Sequence, residues 1–252
     1  MPIDTPTAHF VSVDFTNIGW DAAVTRVVQA ATADQFTTVV TPNVDHIVRM
    51  DRLSDAPLGQ HYRAALADAD FCFCDSRILA RLARLRGVTL SVVPGSDLTA
   101  TLFKNYLTTD VPIAVIGGDA ATLADINRHY PRIVATQHIP PMAMINDPAA
   151  MDAAAQFICD FGTGFIFVAV GSPQGEILVH RARELGAKRG VALSIGASID
   201  FITGRQTRAP NFFQKLGLEW AHRLFTQPKR LWRRYLVDGL RIFAIVVRKD
   251  SR

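Results

Sequence analysis

The stretch Phe165-Ile166-Phe167-Val168-Ala169-Val170-Gly171-Ser172-Pro173-Gln174 decides the fold. Its first six residues are apolar, mostly β-branched or aromatic, and they stop abruptly at small and polar ones. An unbroken apolar run that short is a buried strand, not a membrane span. A helical pattern then covers Gln174–Leu185, and a second strand is predicted at Ala192–Ile195. Strand, turn, helix and strand in that order form a βαβ unit, which points to a parallel sheet.

Working outward, the same alternation covers most of the chain. Further strands are predicted at Phe10–Val13, Phe36–Val40, Phe71–Cys74 and Ile113–Ile116. Helices are predicted at Trp20–Ala31, Val44–Arg52, Arg77–Leu85, Asp97–Tyr106, Ala120–His129 and Pro148–Phe161. The fold class is therefore α/β: a Rossmann-like, mainly parallel sheet with helices on both faces. A C-terminal helical basic appendage follows it. The expected division is an α/β domain over residues 1–208 and a helical basic appendage over 209–252. Pro210 breaks the pattern, and Pro228 suits the first position of another helix. At helical spacing Trp232, Leu236, Leu240, Phe243 and Val247 share one face, with Arg230, Arg234, Arg241 and Arg248 opposite. That is a basic amphipathic helix of the interfacial kind.

Composition narrows the class. The chain has 252 residues, 49% hydrophobic and 20% charged, which excludes disorder and a collagen-like chain. Three cysteines exclude a disulfide scaffold and fit a reducing compartment. Met1–Phe10 lacks the basic and apolar segments of a signal peptide. The net charge of +4 hides an asymmetry. Residues 223–252 hold nine bases and two acids, while the rest of the chain holds 18 bases and 21 acids. A mildly acidic body with a strongly basic tail calls for a polyanionic partner: a membrane surface, a nucleic acid or a phosphorylated ligand.

In parallel sheets ligands bind beyond the carboxyl ends of the strands. The predicted strand exits are Thr41-Pro42-Asn43-Val44-Asp45-His46, Asp75-Ser76-Arg77, Gly117-Gly118-Asp119, Gly171-Ser172-Pro173-Gln174 and Gly196-Ala197-Ser198. Small and polar residues gathered on one edge resemble a nucleotide site, because glycines admit phosphates to backbone N–H groups and helix N-termini favour anions. Asp75, at the end of a buried strand, reads equally well as a general base or as the cap of the next helix. His46 reads as a loop histidine packing on its neighbours. Asp68-Ala69-Asp70 has the form of a metal-binding sugar-transferase motif but precedes its strand, at the wrong edge; no metal is expected. Cys72 and Cys74 read as buried apolar residues. The fingerprints of dinucleotide-binding dehydrogenases, P-loop enzymes and α/β-hydrolases are missing from the sequence.

A resemblance adds to this. Thr41-Pro42-Asn43, Asp75, Pro94-Gly95-Ser96-Asp97-Leu98, Ile116-Gly117-Gly118 and Gly171-Ser172-Pro173 occur in order, followed by Gly196-Ala197-Ser198-Ile199-Asp200-Phe201-Ile202-Thr203-Gly204. Arg208-Ala209-Pro210, Gly217-Leu218-Glu219-Trp220, Arg223-Leu224, Pro228, Arg230-Leu231 and Arg234-Tyr235-Leu236 complete the series. With these motifs the chain closely resembles the WecG/TagA/CpsF bacterial glycosyltransferases of family 26, from about Val11 to the C-terminus.

The resemblance implies an inverting, metal-independent transferase with no cofactor. Such an enzyme moves a hexose or N-acetylhexosamine from a UDP-sugar to a polyprenyl-diphosphate-linked saccharide. It would be peripheral, at the cytoplasmic face of the inner membrane, in cell-envelope or exopolysaccharide biosynthesis. By similarity Asp75 is the catalytic base, and Thr41 and Asn43 line the pocket. The expected substrate-binding set adds Gly117, Gly118, Gly171, Pro173 and Gln174, and Arg223, Arg230 and Arg234 of the tail. Residues 223–252 would meet an anionic membrane surface. No nucleic-acid partner is expected, and a homo-oligomer is left open. The family usually reads G-x-P-K-Q-E, whereas this chain has Gly171-Ser172-Pro173-Gln174-Gly175-Glu176, so Gln174 is the candidate to replace the missing glutamine at 175. The usual Asp-Gly after the second strand is Asp75-Ser76 here. The rival readings are a non-catalytic, membrane-associated nucleotide-sugar-binding module and a nucleic-acid binder acting through the tail.

Overall fold

A computed structural model describes residues 5–206, 224–225, 229, 232 and 239–249. Arg223, Arg230 and Arg234 therefore lie outside the described residues, as do Arg208-Ala209-Pro210 and Gly217-Leu218-Glu219-Trp220. The chain opens with an antiparallel hairpin, β1 (Thr7–Phe10) and β2 (Val13–Thr16). Then come α1 (Trp20–Ala30), β3 (Phe36–Val40), α2 (Val44–Arg52), α3 (Pro57–Ala67), β4 (Phe71–Cys72), α4 (Arg77–Leu85) and α5 (Gly95–Asn105). The second half supplies β5 (Ile113–Gly117), α6 (Thr122–His129), β6 (Ala135–His138), a 3-10 turn at Met144–Asn146, α7 (Pro148–Phe161), β7 (Phe165–Ala169), α8 (Gln174–Glu184), β8 (Gly190–Ser194) and α9 (Ser198–Ile202). The last described helix, α10, is Arg241–Lys249.

Six strands form one parallel sheet in the order β4-β3-β8-β7-β5-β6. Side chains alternate between its faces. Ile113, Val115, Phe165, Phe167, Val191 and Leu193 pack with α1, α5, α6 and α9. Ala114, Ile116, Ile166, Val168 and Ala192 pack on the opposite face with α7 and α8. Both faces are covered, so the central strands read as continuous apolar runs. Each buried Val, Leu, Ile or Phe among them contributes about 1.5–3 kcal/mol through burial. Beside β3 and β4 a further cluster joins Val40 and Cys72 to α2, α3, α4, the hairpin and α10.

Three local expectations change. Phe10–Val13 is the corner of the hairpin, with Val11 and Ser12 at φ of 47° and 67°. Its apolar residues are buried, but in a two-stranded ribbon outside the parallel sheet. β6 was not expected; it is a short edge strand of Ala-Thr-Gln-His composition. The unexpected α3 begins with Pro57 in its first turn, a position where proline costs no hydrogen bond.

The last helix is bound into the body. Ile242, Ile245 and Val246 are buried in the cluster beside β3 and β4. The Arg86 guanidinium donates to the Val246 carbonyl at 3.2 Å, and Arg248 pairs with Asp51. The apolar residues singled out from sequence, Leu240, Phe243 and Val247, lie on the outside, with Phe243 52% exposed and Val247 64%. The helix thus has two apolar faces, one docked and one exposed. Among the described residues no helix is long and apolar enough to cross a membrane.

Candidate active site

Neighbouring strands send their next helices to opposite faces. After β3 the chain turns to α2 on one face, and after β8 to α9 on the other. After β7 it turns to α8, and after β5 to α6 on the opposite face. This opens a crevice at the carboxyl edge of the sheet, where α/β folds take their ligands. The exits of β3, β4, β5, β7 and β8 meet along it.

Asp75 follows β4, where the chain continues past Cys74, which is bridged in parallel to Val92. The Asp75 N–H donates to the Pro42 carbonyl at 3.0 Å, and the Val93 N–H to the Cys74 carbonyl at 2.9 Å. Asp75 is thereby clamped between the β3 exit and the segment leading to α5. The alternative role, helix capping, belongs to Ser76: its Oγ accepts from the Leu79 N–H at 3.1 Å. The Asp75 carboxylate is half-buried and faces Asn43, whose Nδ2 is 3.5 Å from its Oδ2.

Asn43 caps α2. Its Oδ1 accepts from the Asp45 N–H at 3.0 Å and stands 2.9 Å from Nδ1 of His46. A backbone N–H can only meet the oxygen of the carboxamide, so the orientation of Asn43 is fixed and its NH2 group is turned toward Asp75. Nε2 of His46 lies 3.1 Å from Oε1 of Glu176, in the first turn of α8. Glu176 is 3% exposed, and its Oε2 has no hydrogen-bond partner among the described residues. Sequence reading took His46 for a loop histidine packing on its neighbours and gave Glu176 no role, although Asn43-Val44-Asp45-His46 has capping-box spacing, with His in place of Glu or Gln.

Thr41 is buried at the β3 exit. A Cβ on Gly95 would stand 2.6 Å from its Oγ1, so the first turn of α5 can press on Thr41 only with glycine there. A cavity of about 540 Å³ follows α5, lined among others by Trp20, Arg77, Pro94, Asp97 and Asn105.

At the β5 exit Gly117 and Gly118 have φ of +102° and +75°, values that disfavour any side chain. The adjoining charge is an acid. Asp119 is bound by Arg205, which also donates to Asp125 at 2.6 Å. The Arg205 hydrogen bonds hold both carboxyls below the usual aspartate range. At the β7 exit Gly171 is exposed, with open space where a Cβ would stand. Pro173 is buried, and Ser172 Oγ lies 2.9 Å from the Tyr62 hydroxyl. Gln174 is directed elsewhere: its Oε1 accepts from the Ile145 N–H at 3.0 Å, pinning the loop between β6 and α7. A Cβ at Gly175 would stand 3.2 Å from the Val170 carbonyl.

The remaining motifs are structural. Asp68 and Asp70 lie at the amino-terminal edge. Asp70 accepts from the Thr38 N–H at 2.8 Å and pairs with Arg183, while Asp68 meets His180 at 2.9 Å. Cys72 and Cys74 are buried, and burial pushes the Cys74 thiol up to about 12 and the Cys72 thiol higher still. Among the described residues no three His, Cys, Asp or Glu side chains converge as metal ligands.

The fold and the strand-end polar cluster agree with what comparison of the chain with known families finds. The family model for the glycosyl transferase WecG/TagA/CpsF family matches residues 8–252, nearly the whole chain. The chain belongs to the WecG/TagA/CpsF family and is a glycosyltransferase.

Proposed function

We propose that the protein transfers a hexose or N-acetylhexosamine from a UDP-sugar to a polyprenyl-diphosphate-linked saccharide, inverting the anomeric centre without a metal. The observation that carries this reading is the Asp75 carboxylate, released from capping by Ser76 and held by Asn43 at the ligand edge of the sheet. In the reaction an acceptor hydroxyl oxygen attacks the anomeric carbon as the bond to UDP breaks. Its proton passes to Asp75, and the bonding electron pair leaves with the diphosphate. Attack opposite the leaving group inverts the configuration.

The departing charge needs positive partners. The N-termini of α6 and α8, next to Gly117-Gly118 and Gly171, offer partial positive charge. Arg223, Arg230 and Arg234 are proposed to supply the remainder.

Residues 223–252 are proposed to rest on an anionic membrane at its cytoplasmic face. The exposed Phe243 and Val247 side chains of α10 and the nine bases of this segment support that reading. Each base near such a surface contributes about 1 kcal/mol.

The test is UDP release from a panel of UDP-sugars, with and without lipid-diphosphate-linked saccharides, by wild type and Asp75→Asn. Acceptor-dependent release from one donor, falling about 10²–10⁴-fold in the variant, is the expected result. An undiminished rate in Asp75→Asn removes Asp75 as the base. Donor binding without turnover for every acceptor would favour a nucleotide-sugar-binding module instead.

A further inference from the structure

We propose that His46 and Glu176 are positioning residues for Asp75, acting through Asn43; this rests on the reading of Asp75 as the base. Four parts of the fold converge on one chain of contacts. Glu176 comes from α8, His46 from α2, Asn43 from the β3 exit and Asp75 from the β4 exit. Oε1 of Glu176 meets Nε2 of His46 at 3.1 Å, and Nδ1 of His46 meets Oδ1 of Asn43 at 2.9 Å. Nδ2 of Asn43 then reaches Oδ2 of Asp75 at 3.5 Å.

The contacts of His46 tie α8 to the start of α2. Its Nε2 meets Glu176, while its Nδ1 lies 2.9 Å from the Asn43 carboxamide oxygen and accepts from the Asn43 backbone N–H at 3.4 Å in the capping box. The ring thus braces Asn43, whose NH2 group holds an oxygen of Asp75.

Local stability does not account for this arrangement. Glu176 is followed in α8 by buried Leu178 and Val179, and one of its oxygens has no partner among the described residues. A buried carboxylate costs stability unless it is fully paired, and an apolar residue would fill the position at lower cost. The Asp45 N–H holds the carboxamide oxygen of Asn43, and His46 completes the α2 capping box from its Nδ1 side. What the His46–Glu176 contact adds is a brace from α8 to the residue that faces Asp75. A general base gains its rate from holding a set geometry toward the reacting hydroxyl, and small displacements cost turnover.

The experiment is a double-mutant cycle on UDP release. His46→Gln is made in wild type and in Asp75→Asn, with folding followed by thermal melting and donor affinity by calorimetry. In wild type, His46→Gln is expected to lower kcat by about 10- to 100-fold with donor affinity unchanged. In the Asp75→Asn background it is expected to cost nothing further, because there is no base left to orient. Glu176→Gln, which keeps an oxygen for His46, should lose less than Glu176→Ala. Full activity in folded His46→Gln overturns the proposal, as does an equal loss in both backgrounds. Undiminished turnover in Asp75→Asn alone instead overturns the assignment of the base, which separates the two failures.

Discussion

Nδ2 of Asn43 stands 3.5 Å from Oδ2 of Asp75, joining two strand exits thirty-two residues apart in the chain. The same carboxamide caps α2 through its oxygen. One side chain therefore ties the start of a helix to the orientation of a carboxylate.

The two duties of Asn43 separate by substitution. Asn43→Ala removes the cap and is expected to cost about 1 kcal/mol of stability. Asn43→Asp keeps a capping oxygen but places a second carboxylate against Asp75 and loses the donor. Its melting temperature should stay close to that of wild type while kcat falls about 10²-fold. Thermal melts and initial rates on the same preparations check both.

The two faces of α10 make opposite predictions. Ile245→Ala opens a cavity in the cluster beside β3 and β4 and is expected to cost about 2–5 kcal/mol in denaturant unfolding. Phe243→Ser with Val247→Ser alters only exposed positions. That pair should leave unfolding unchanged and weaken sedimentation with anionic vesicles. Truncating the last helix would mix the two effects, because it removes Ile242, Ile245 and Val246 from the core.

Arg205 should give a pH-dependent signature. Its hydrogen bonds hold the Asp119 and Asp125 carboxyls below the usual aspartate value of 3.8. Groups with depressed folded values contribute stability that is fully present above the unfolded value and is lost as pH falls through the folded one. Arg205→Gln should therefore melt below wild type at neutral pH. The two melting curves should converge as pH falls below 3.8, where the carboxyls take up protons in both proteins.

The cysteines should be silent in the native protein. Cys74, with its thiol at about 12, and the more strongly shifted Cys72 carry almost no thiolate at neutral pH. A thiol-reactive dye at pH 7 should leave both unlabelled until denaturant is added, when all three cysteines of the chain react.

Much of the fold was legible because burial on both faces writes itself into the sequence. Val39, Val40, Ile113 to Ile116, Phe165 to Val168 and Val191 to Leu193 are buried without a break. The helices between them follow from apolar spacing, and α7 from Asp147 and Pro148 at its start. The hairpin was misread because its corner, Val11-Ser12, uses positive φ without glycine or asparagine, so no turn signal marks it. β6 escaped notice because an edge strand with one neighbour needs little apolar surface.

At the site, sequence determined which residues stand at strand exits: Thr41, Asn43, Asp75, Gly117, Gly118 and Gly171 all lie there. It did not determine what they touch. That Ser76 caps α4, that Gln174 turns to Ile145, and that Glu176 reaches His46 across 130 positions are decided by how α2, α4 and α8 lie against the sheet. Strand ends are fixed locally, by where an apolar run stops. A hydrogen bond between helices depends on their relative placement, which arises only when the whole core packs.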